Sequence, residues 1–313
     1  MHEFNLTTPI AFIIFNRPDT TKKVFERIRQ AKPKQLFIIA DGPRQNKPGE
    51  DIKCFETRAL TNNIDWDCEV LRNYSEINLG CRKRVSSGID WLFENVEEAI
   101  ILEDDCLPHP SFFKFCKTML TLYKNNEKVM MISGDCLIDK LKLPNTSYYF
   151  SNYTHIWGWA TWKRAWQHYD VNMKQWSSIS KNNFLKNFST SKTAITYWKF
   201  LFDETFEGTI NTWDYQWFFC IMLNNGITII PTVNLVSNIG FGIDSTHTKD
   251  FRDIGNQVPL EEIKFPLKHP ENVEISNSVD RYEEKIYHHL NFKSKIKFIL
   301  KSMGLKFLFI RNK

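Results

Sequence analysis

Three short apolar runs constrain this chain more than any other feature: PIAFIIF (Pro9 to Phe15), LFIIA (Leu36 to Ala40) and AIIL (Ala99 to Leu102). Each stops abruptly at polar residues, namely Asn16-Arg17, Asp41-Gly42 and Glu103-Asp104-Asp105. Runs this short, apolar at every position, read as strands buried on both faces. The intervening DTTKKVFERIRQA sets Val24, Ile28 and Ala31 at helical spacing, CEVLRN reads as a weaker strand, and CRKRVSSGIDWLFENV reads as a helix. A helix over SFFKFCKTMLTLYKNN and a strand over VMMISGD continue the alternation. The expected class is α/β, a mostly parallel sheet with helices on both faces. Such sheets bind ligands outside the carboxyl ends of their strands, so the polar run ends are expected to converge on one edge.

The third run poses an electrostatic problem, because Glu103, Asp104 and Asp105 put adjacent like charges at the end of a buried strand. A solvated acidic turn is the ordinary reading of an acidic triplet. Here the preceding strand and the following CLPHPSFF, whose Pro108 and Pro110 end the loop before Phe112 and Phe113 open a helix, favour a cation. Hard divalent ions such as Mn²⁺ or Mg²⁺ take carboxylate oxygens together with substrate phosphates.

Composition narrows the classes. The 313 residues are 42% hydrophobic, enough for one large domain or two modest ones. The net charge of +5 resides in the tail: Phe292 to Lys313 holds seven basic residues and no acid, leaving 34 basic against 36 acidic residues elsewhere. No basic stripe for nucleic acid is expected on the body. Seven cysteines form no CxxC pair, which fits reduced thiols better than a zinc site or a disulfide framework. MHEFNLTTPIAFIIF has no basic n-region, and no stretch reaches the ~20 apolar residues of a membrane span, so a cytoplasmic location is expected. After about residue 150 the alternation fades into aromatic segments, THIWGWATWKRAWQHY and TWDYQWFF, with short apolar runs around GITIIP and NLVSNIGFG. These divide the chain into a domain over 1–255, with lobes at about 8–150 and 151–255, and an extension over 256–313.

Taken in order, PIAFIIFNRPDTT, FIIADGP, AIILEDDCLPHPSFFKF, HIWGWATW, TWDYQW and SNIGFGIDSTHT resemble bacterial glycosyltransferases of the GT-A fold, in particular those related to N-acetylglucosaminyltransferase I. The resemblance implies that Asp105 ligates Mn²⁺ (or Mg²⁺) bridging the two phosphates of a nucleotide sugar, with Glu103 and Asp104 facing the donor. Phe15, Asn16 and Arg17 then contact the nucleotide. Asp41 accepts the imide N–H of uracil, or else is a turn residue ahead of Gly42 and Pro43. Arg82, near a helix start, meets phosphate or is a solvated helix end. Trp157, Gly158 and Trp159 border the donor sugar, a tryptophan stacking on it unless it packs in the core. Asp214 becomes the base that deprotonates the acceptor hydroxyl; by sequence alone it reads as a helix N-cap. His247 is a further metal or diphosphate ligand.

The implied function is an inverting, metal-dependent transfer of a sugar from a UDP-sugar, UDP-N-acetylglucosamine first, onto a hydroxyl of a surface glycan or lipid-linked glycan. A sugar-nucleotide nucleotidyltransferase normally carries a glycine-rich loop after its first strand, which IFNRPDTT lacks. A noncatalytic glycan-binding module is the other alternative. In the tail, Lys293, Lys297 and Lys301 recur every four residues opposite Ile296, Ile299, Leu300 and Met303, a basic amphipathic helix suited either to peripheral contact with an anionic membrane or to packing on the domain.

Overall fold

The structure is a computed structural model that describes residues 5–138, 140–240 and 258–286. The first run forms β1 (Ile10–Ile14), followed by α1 (Pro18–Ala31). Pro18 suits a first helical turn, where its missing N–H costs nothing, and Lys32 ends the helix in the left-handed region. Next come β2 (Gln35–Ala40), α2 (Glu50–Leu60), β3 (Glu69–Tyr74), α3 (Gly80–Asn95) and β4 (Glu98–Glu103). Strands β3, β2, β1 and β4 lie side by side and parallel, so the three acidic and polar run ends share one edge, as the alternation predicts.

Burial on both faces explains the uninterrupted apolar runs. Ile10, Phe12 and Ile14 face one layer with Val24 and Ile28 of α1, whereas Ala11 and Ile13 face the other with Val85 and Ile89 of α3. A short β5 (Cys106–Pro108) turns away from the acids into α4 (Pro110–Leu122), whose Phe112 and Phe113 are fully buried. His109 caps α4 by accepting from the Ser111 N–H. Strand β6 (Val129–Ser133) completes the first half.

The chain from the boundary near residue 150 onward does more than cover the sheet: it supplies two of its strands, and a third straddles the boundary. These are β7 (Tyr148–Ser151), β8 (Trp159–Trp162) and, beyond helices α5 (Lys163–Trp166), α6 (Trp176–Ile179), α7 (Lys192–Phe206) and α8 (Asp214–Leu223), β9 (Ile227–Pro231). The eight strands run β3-β2-β1-β4-β8-β6-β9-β7, with β8 and β7 antiparallel to their neighbours. Strand β8 is inserted between β4 and β6, so the sequence division near residue 150 does not divide the sheet. Helix α8 is buried continuously from Gln216 to Met222, because one side meets the sheet and the other meets the aromatic cluster of α6 and α7.

A two-stranded ribbon pairs β10 (Val236–Asn238) with β5. Residues from 258 onward are laid along the body: the Ile263 N–H donates to Ser111 Oγ, and Ser147 donates to the Lys268 carbonyl. Helix α9 (Asn277–Ile286) then buries three acids. Asp280 receives Ser151 and Asn152, Glu284 receives Tyr153 and Ser189, and Glu283 lies 2.8 Å from His155 Nε2. Among the described residues no helix is long and apolar enough to cross a membrane. Both His247 and the basic tail lie outside the described residues.

Candidate functional site

The carboxyl ends of β1, β2 and β4 open into a cleft of about 310 Å³. Phe15, Arg17, Asp41, Glu103 and Asp104 line it, together with Arg44, Asn78, Gly80, Arg84 and Asn211, which sequence reasoning did not single out. The acidic turn is tied to the end of β1: the Phe15 N–H donates to Asp104 Oδ2 at 3.0 Å. Arg17, at the mouth of α1, sets Nη1 2.5 Å from Asp105 Oδ2 and 3.7 Å from Asp104 Oδ1.

One guanidinium among three carboxylates leaves a deficit of positive charge. Burial, then the charges of Asp105, Asp104 and Asp214, push the Glu103 carboxyl up to about 8 against the pull of Arg17. Asp104 rises to about 7 through burial and Asp105, opposed by Arg17 and the Phe15 N–H. Both carboxyls ordinarily titrate lower, at 4.5 and 3.8, so as pH rises the unfolded chain gives up their protons first. The native state then holds more protons, and stability falls with pH until the folded values are passed. Asp280, raised to about 7 by burial, adds the same sign. The melting temperature without divalent ions is therefore expected to decline between about pH 5 and about pH 8. A thermal-denaturation series checks this, and a flat profile would contradict it.

Among the described residues no three His, Cys, Asp or Glu side chains converge to enclose a metal. The donor set still fits a hard divalent ion that takes one or two protein oxygens and completes its shell with phosphate oxygens and water. The oxygens are carboxylates short of counter-charge, and Gly240 keeps the approach open: a Cβ there would stand 2.3 Å from Asp105 Oδ2.

The far wall is built from α2. Glu50 takes Asn16 Nδ2 at 2.9 Å, the Arg44 N–H at 2.7 Å and the Arg44 guanidinium. Burial pushes Glu50 up, but its bonds to Arg44 outweigh that and leave its pKa below the usual carboxylate value. The Arg44 guanidinium lies 5.5 Å from the Phe15 ring centroid. Asn16 is thus engaged with the wall, whereas Phe15 and Arg17 reach the cleft.

Of the two readings open for Asp41, its hydrogen bonds follow that of a turn residue. Its Oδ1 accepts the Gly42 and Leu79 N–H groups, each at 2.9 Å, and its Oδ2 accepts Gly80 N–H at 3.0 Å and Asn78 Nδ2 at 3.1 Å. Four donors fill a carboxylate, so nothing remains for a uracil imide. Asp41 instead folds the 75–80 loop and the start of α3. Asp41→Ala would strand buried N–H groups and is expected to cost about 3 kcal/mol of unfolding free energy, read by urea denaturation.

Trp159 is corrected as well. It is 1% exposed and packs among Trp166, Trp213 and Trp217, stacking on Trp213 at 5.5 Å, so it offers no face to a sugar. Its contribution is to seat the start of α8. Gly158, with φ of +64°, is filled in by Val236 and Leu102 rather than open to a ligand. Trp157 is half-buried against the core, and its N–H donates to Asp135 Oδ1 at 3.2 Å. Arg82 turns from the cleft and donates to the Val171 carbonyl.

Asp214 opens α8, where Thr212 Oγ1 donates to its Oδ1. It lies close enough to the acidic turn to raise the pKa of Glu103, and it adds to the burial that raises Cys81 in the cleft wall. Asn211 borders the same cleft, 3.4 Å from where a Gly80 Cβ would sit. The segment 211–214 therefore sets Asn211 in the cleft lining and Asp214 near enough for its charge to act on Glu103 and Cys81.

The sequence matches no family model and no curated protein. Solved structures that match part of the chain include HddC from Yersinia pseudotuberculosis, at 8% identity and TM-score 0.28, covering 40% of this chain and 57% of that one. UDP-glucose pyrophosphorylase in complex with UDP-glucose is 12% identical at TM-score 0.27, over 46% of this chain and 62% of that one. The mannosyltransferase PcManGT from Pyrobaculum calidifontis, in complex with GDP-Man and Mn²⁺, is 13% identical at TM-score 0.33, over 49% and 44%. The chain thus spans less than two thirds of each of these structures, and enzymes that bind nucleotide sugars are among them.

Proposed function

We propose that this chain is a metal-dependent glycosyltransferase that moves a sugar, with inversion, from a UDP-sugar to the hydroxyl of a glycan acceptor. One observation carries the reading: Arg17, Glu103 and Asp104 line the cleft, Asp105 pairs with Arg17 beside it, and Asp214, which arrives from a different half of the chain, lies near enough to push the Glu103 carboxyl up. A nucleotide diphosphate needs the first group, and an incoming hydroxyl needs the second.

In this mechanism Phe15 and Arg44 form one wall of the nucleoside cleft. Asp105, with Asp104 beside it, is the residue that would hold Mn²⁺ or Mg²⁺. When bound, the ion neutralises charge that develops on the departing diphosphate. Arg17, paired with Asp105 here, supplies further positive charge next to the same phosphates. Asp214, its orientation set by Thr212, takes the proton of the acceptor hydroxyl as that oxygen attacks the anomeric carbon. Nucleotidyl transfer would use a similar cleft, yet the turn after β1 is Phe15-Asn16-Arg17-Pro18, without the glycines that let a backbone wrap a triphosphate. N-acetylglucosamine is the first sugar to try, with other hexoses next, and a surface polysaccharide or lipid-linked glycan is the acceptor class.

The test is a thermal-shift screen against UDP, GDP, dTDP and CMP, each with Mn²⁺ or EDTA, in the wild type and in Asp105→Ala. Binding to the native state raises the melting temperature. A Mn²⁺-dependent shift lost in the variant is expected. No shift with any nucleotide removes the reading's support, and exchange of pyrophosphate into a nucleotide sugar would replace it with nucleotidyl transfer.

A further inference from the structure

Helix α9 is fastened to the body largely through buried acids. Val279 joins a small apolar cluster with Tyr149 and Ile230, but the other buried positions of α9 are Asp280, Glu283 and Glu284. Glu283 Oε1 lies 2.8 Å from His155 Nε2, and Asp135, in the turn after β6, sets Oδ2 3.4 Å from His155 Nδ1. Asp280 accepts Ser151 Oγ at 2.6 Å, and Glu284 accepts the Tyr153 and Ser189 hydroxyls, each at 2.7 Å. Four buried carboxylates thus share one imidazole, and among the described residues no Lys or Arg forms an ion pair with any of them. So many carboxylates cannot all stay ionised out of water beside a single cation, and the docked cluster retains protons that the same groups lose in solvent. Glu283 Oε2 marks the shortage of donors, being buried and receiving no hydrogen bond.

The titratable groups facing His155 are Asp135 and Cys136 from the turn after β6 and Glu283 from α9. Burial opposes its protonation, but Glu283 and Asp135 outweigh that and hold the imidazole well above its ordinary range. Those facing Asp280 are Tyr149 of β7, Tyr153 and Glu283. Burial pushes the Asp280 carboxyl up to about 7 against the Ser151 bond, and Glu283 adds to the rise. Undocking takes Glu283 away from His155 and returns Asp280 to water, so both groups then bind protons more weakly. Opening therefore releases protons, and it becomes easier as pH rises.

We propose that α9 is a proton-operated latch: the Asp135-His155-Glu283 clasp and the Asp280 anchor hold residues 277–286 on the body in neutral and mildly acidic solution and release them together in alkali, while the sheet stays folded. The latch bears on the segment 151–157 that leads into β8, because Asp135 Oδ1 also accepts the Trp157 N–H at 3.2 Å. It is independent of the proposed sugar transfer.

The experiment is hydrogen–deuterium exchange of the full chain at pH 6 and pH 8, corrected for the intrinsic exchange rate, comparing α9 with β1 and β2. Protection over 277–286 is expected to fall about a hundredfold between the two, at about tenfold per pH unit for each proton released, with little change in the sheet. Asp280→Asn keeps a neutral group that can donate to Ser151 Oγ and accept from Asn152, and it should reduce the fall to about tenfold. The comparison of α9 with the sheet needs only the wild type, so the inference stays testable if the variant folds poorly. Unchanged protection of α9, a loss shared equally by the sheet, or a wild-type response in Asp280→Asn overturns the inference.

Discussion

Asp105→Asn is expected to lower kcat/KM for sugar transfer by about 10³-fold and to remove the dependence of nucleotide binding on Mn²⁺. The substitution keeps the shape of the turn but takes away the charge opposite Arg17, 2.5 Å away, and the oxygen that a divalent ion would take. Two readouts separate this from a loss of fold. The melting temperature without metal should fall little, because the exchange also relieves repulsion on Glu103 and Asp104, both raised by Asp105. Added Mn²⁺ should no longer raise it in the presence of UDP. An active variant that still responds to Mn²⁺ would place the metal elsewhere.

Asp214→Asn is expected to act differently, lowering kcat by about 10³-fold while leaving UDP affinity within about twofold. The carboxylate is held by Thr212 at the start of α8, away from the Asn16-Glu50-Arg44 wall, so its loss should fall on the chemical step. Rate–pH profiles add a check: wild-type kcat should depend on a basic group, and that limb should vanish in the variant. A variant that binds UDP poorly and turns over normally would show Asp214 to be a binding residue, and an N-cap role alone would cost stability rather than rate.

Much of the architecture was legible because strands buried on both faces must be apolar at every position, and such runs stand out in any sequence. β1, β2 and β4 and the order of their polar ends follow from that requirement, and the sequence also marked α1 and α3, whereas α2 was not read from it. The convergence of Arg17 with Asp104 and Asp105, some 88 residues apart in the chain, was legible for the same reason, since parallel neighbouring strands must bring their carboxyl ends together.

Trp159 shows where that legibility ends. A tryptophan beside a glycine carries the same local signal whether its ring meets a sugar or three other indoles, and only the insertion of β8 between β4 and β6 put it in the core. Asn78 and Glu50 were invisible for another reason. Asn78 meets Asp41 and Gly42, 37 and 36 residues away, and Glu50 joins Arg44 to Asn16, 34 residues away, and no spacing rule links residues on separate loops.

By itself, then, the sequence determined which segments are buried strands and which polar residues terminate them, because burial of a whole strand leaves no freedom in composition. The tertiary structure alone decided which of those polar groups retain an open valence. Asp41 is polar at a strand end, as expected, yet the adjacent Gly42 N–H and three donors from the neighbouring loop consume it. Hydrogen-bonding capacity is finite, and whether it is spent within the fold or left for a ligand depends on which distant groups the fold brings within about 3 Å.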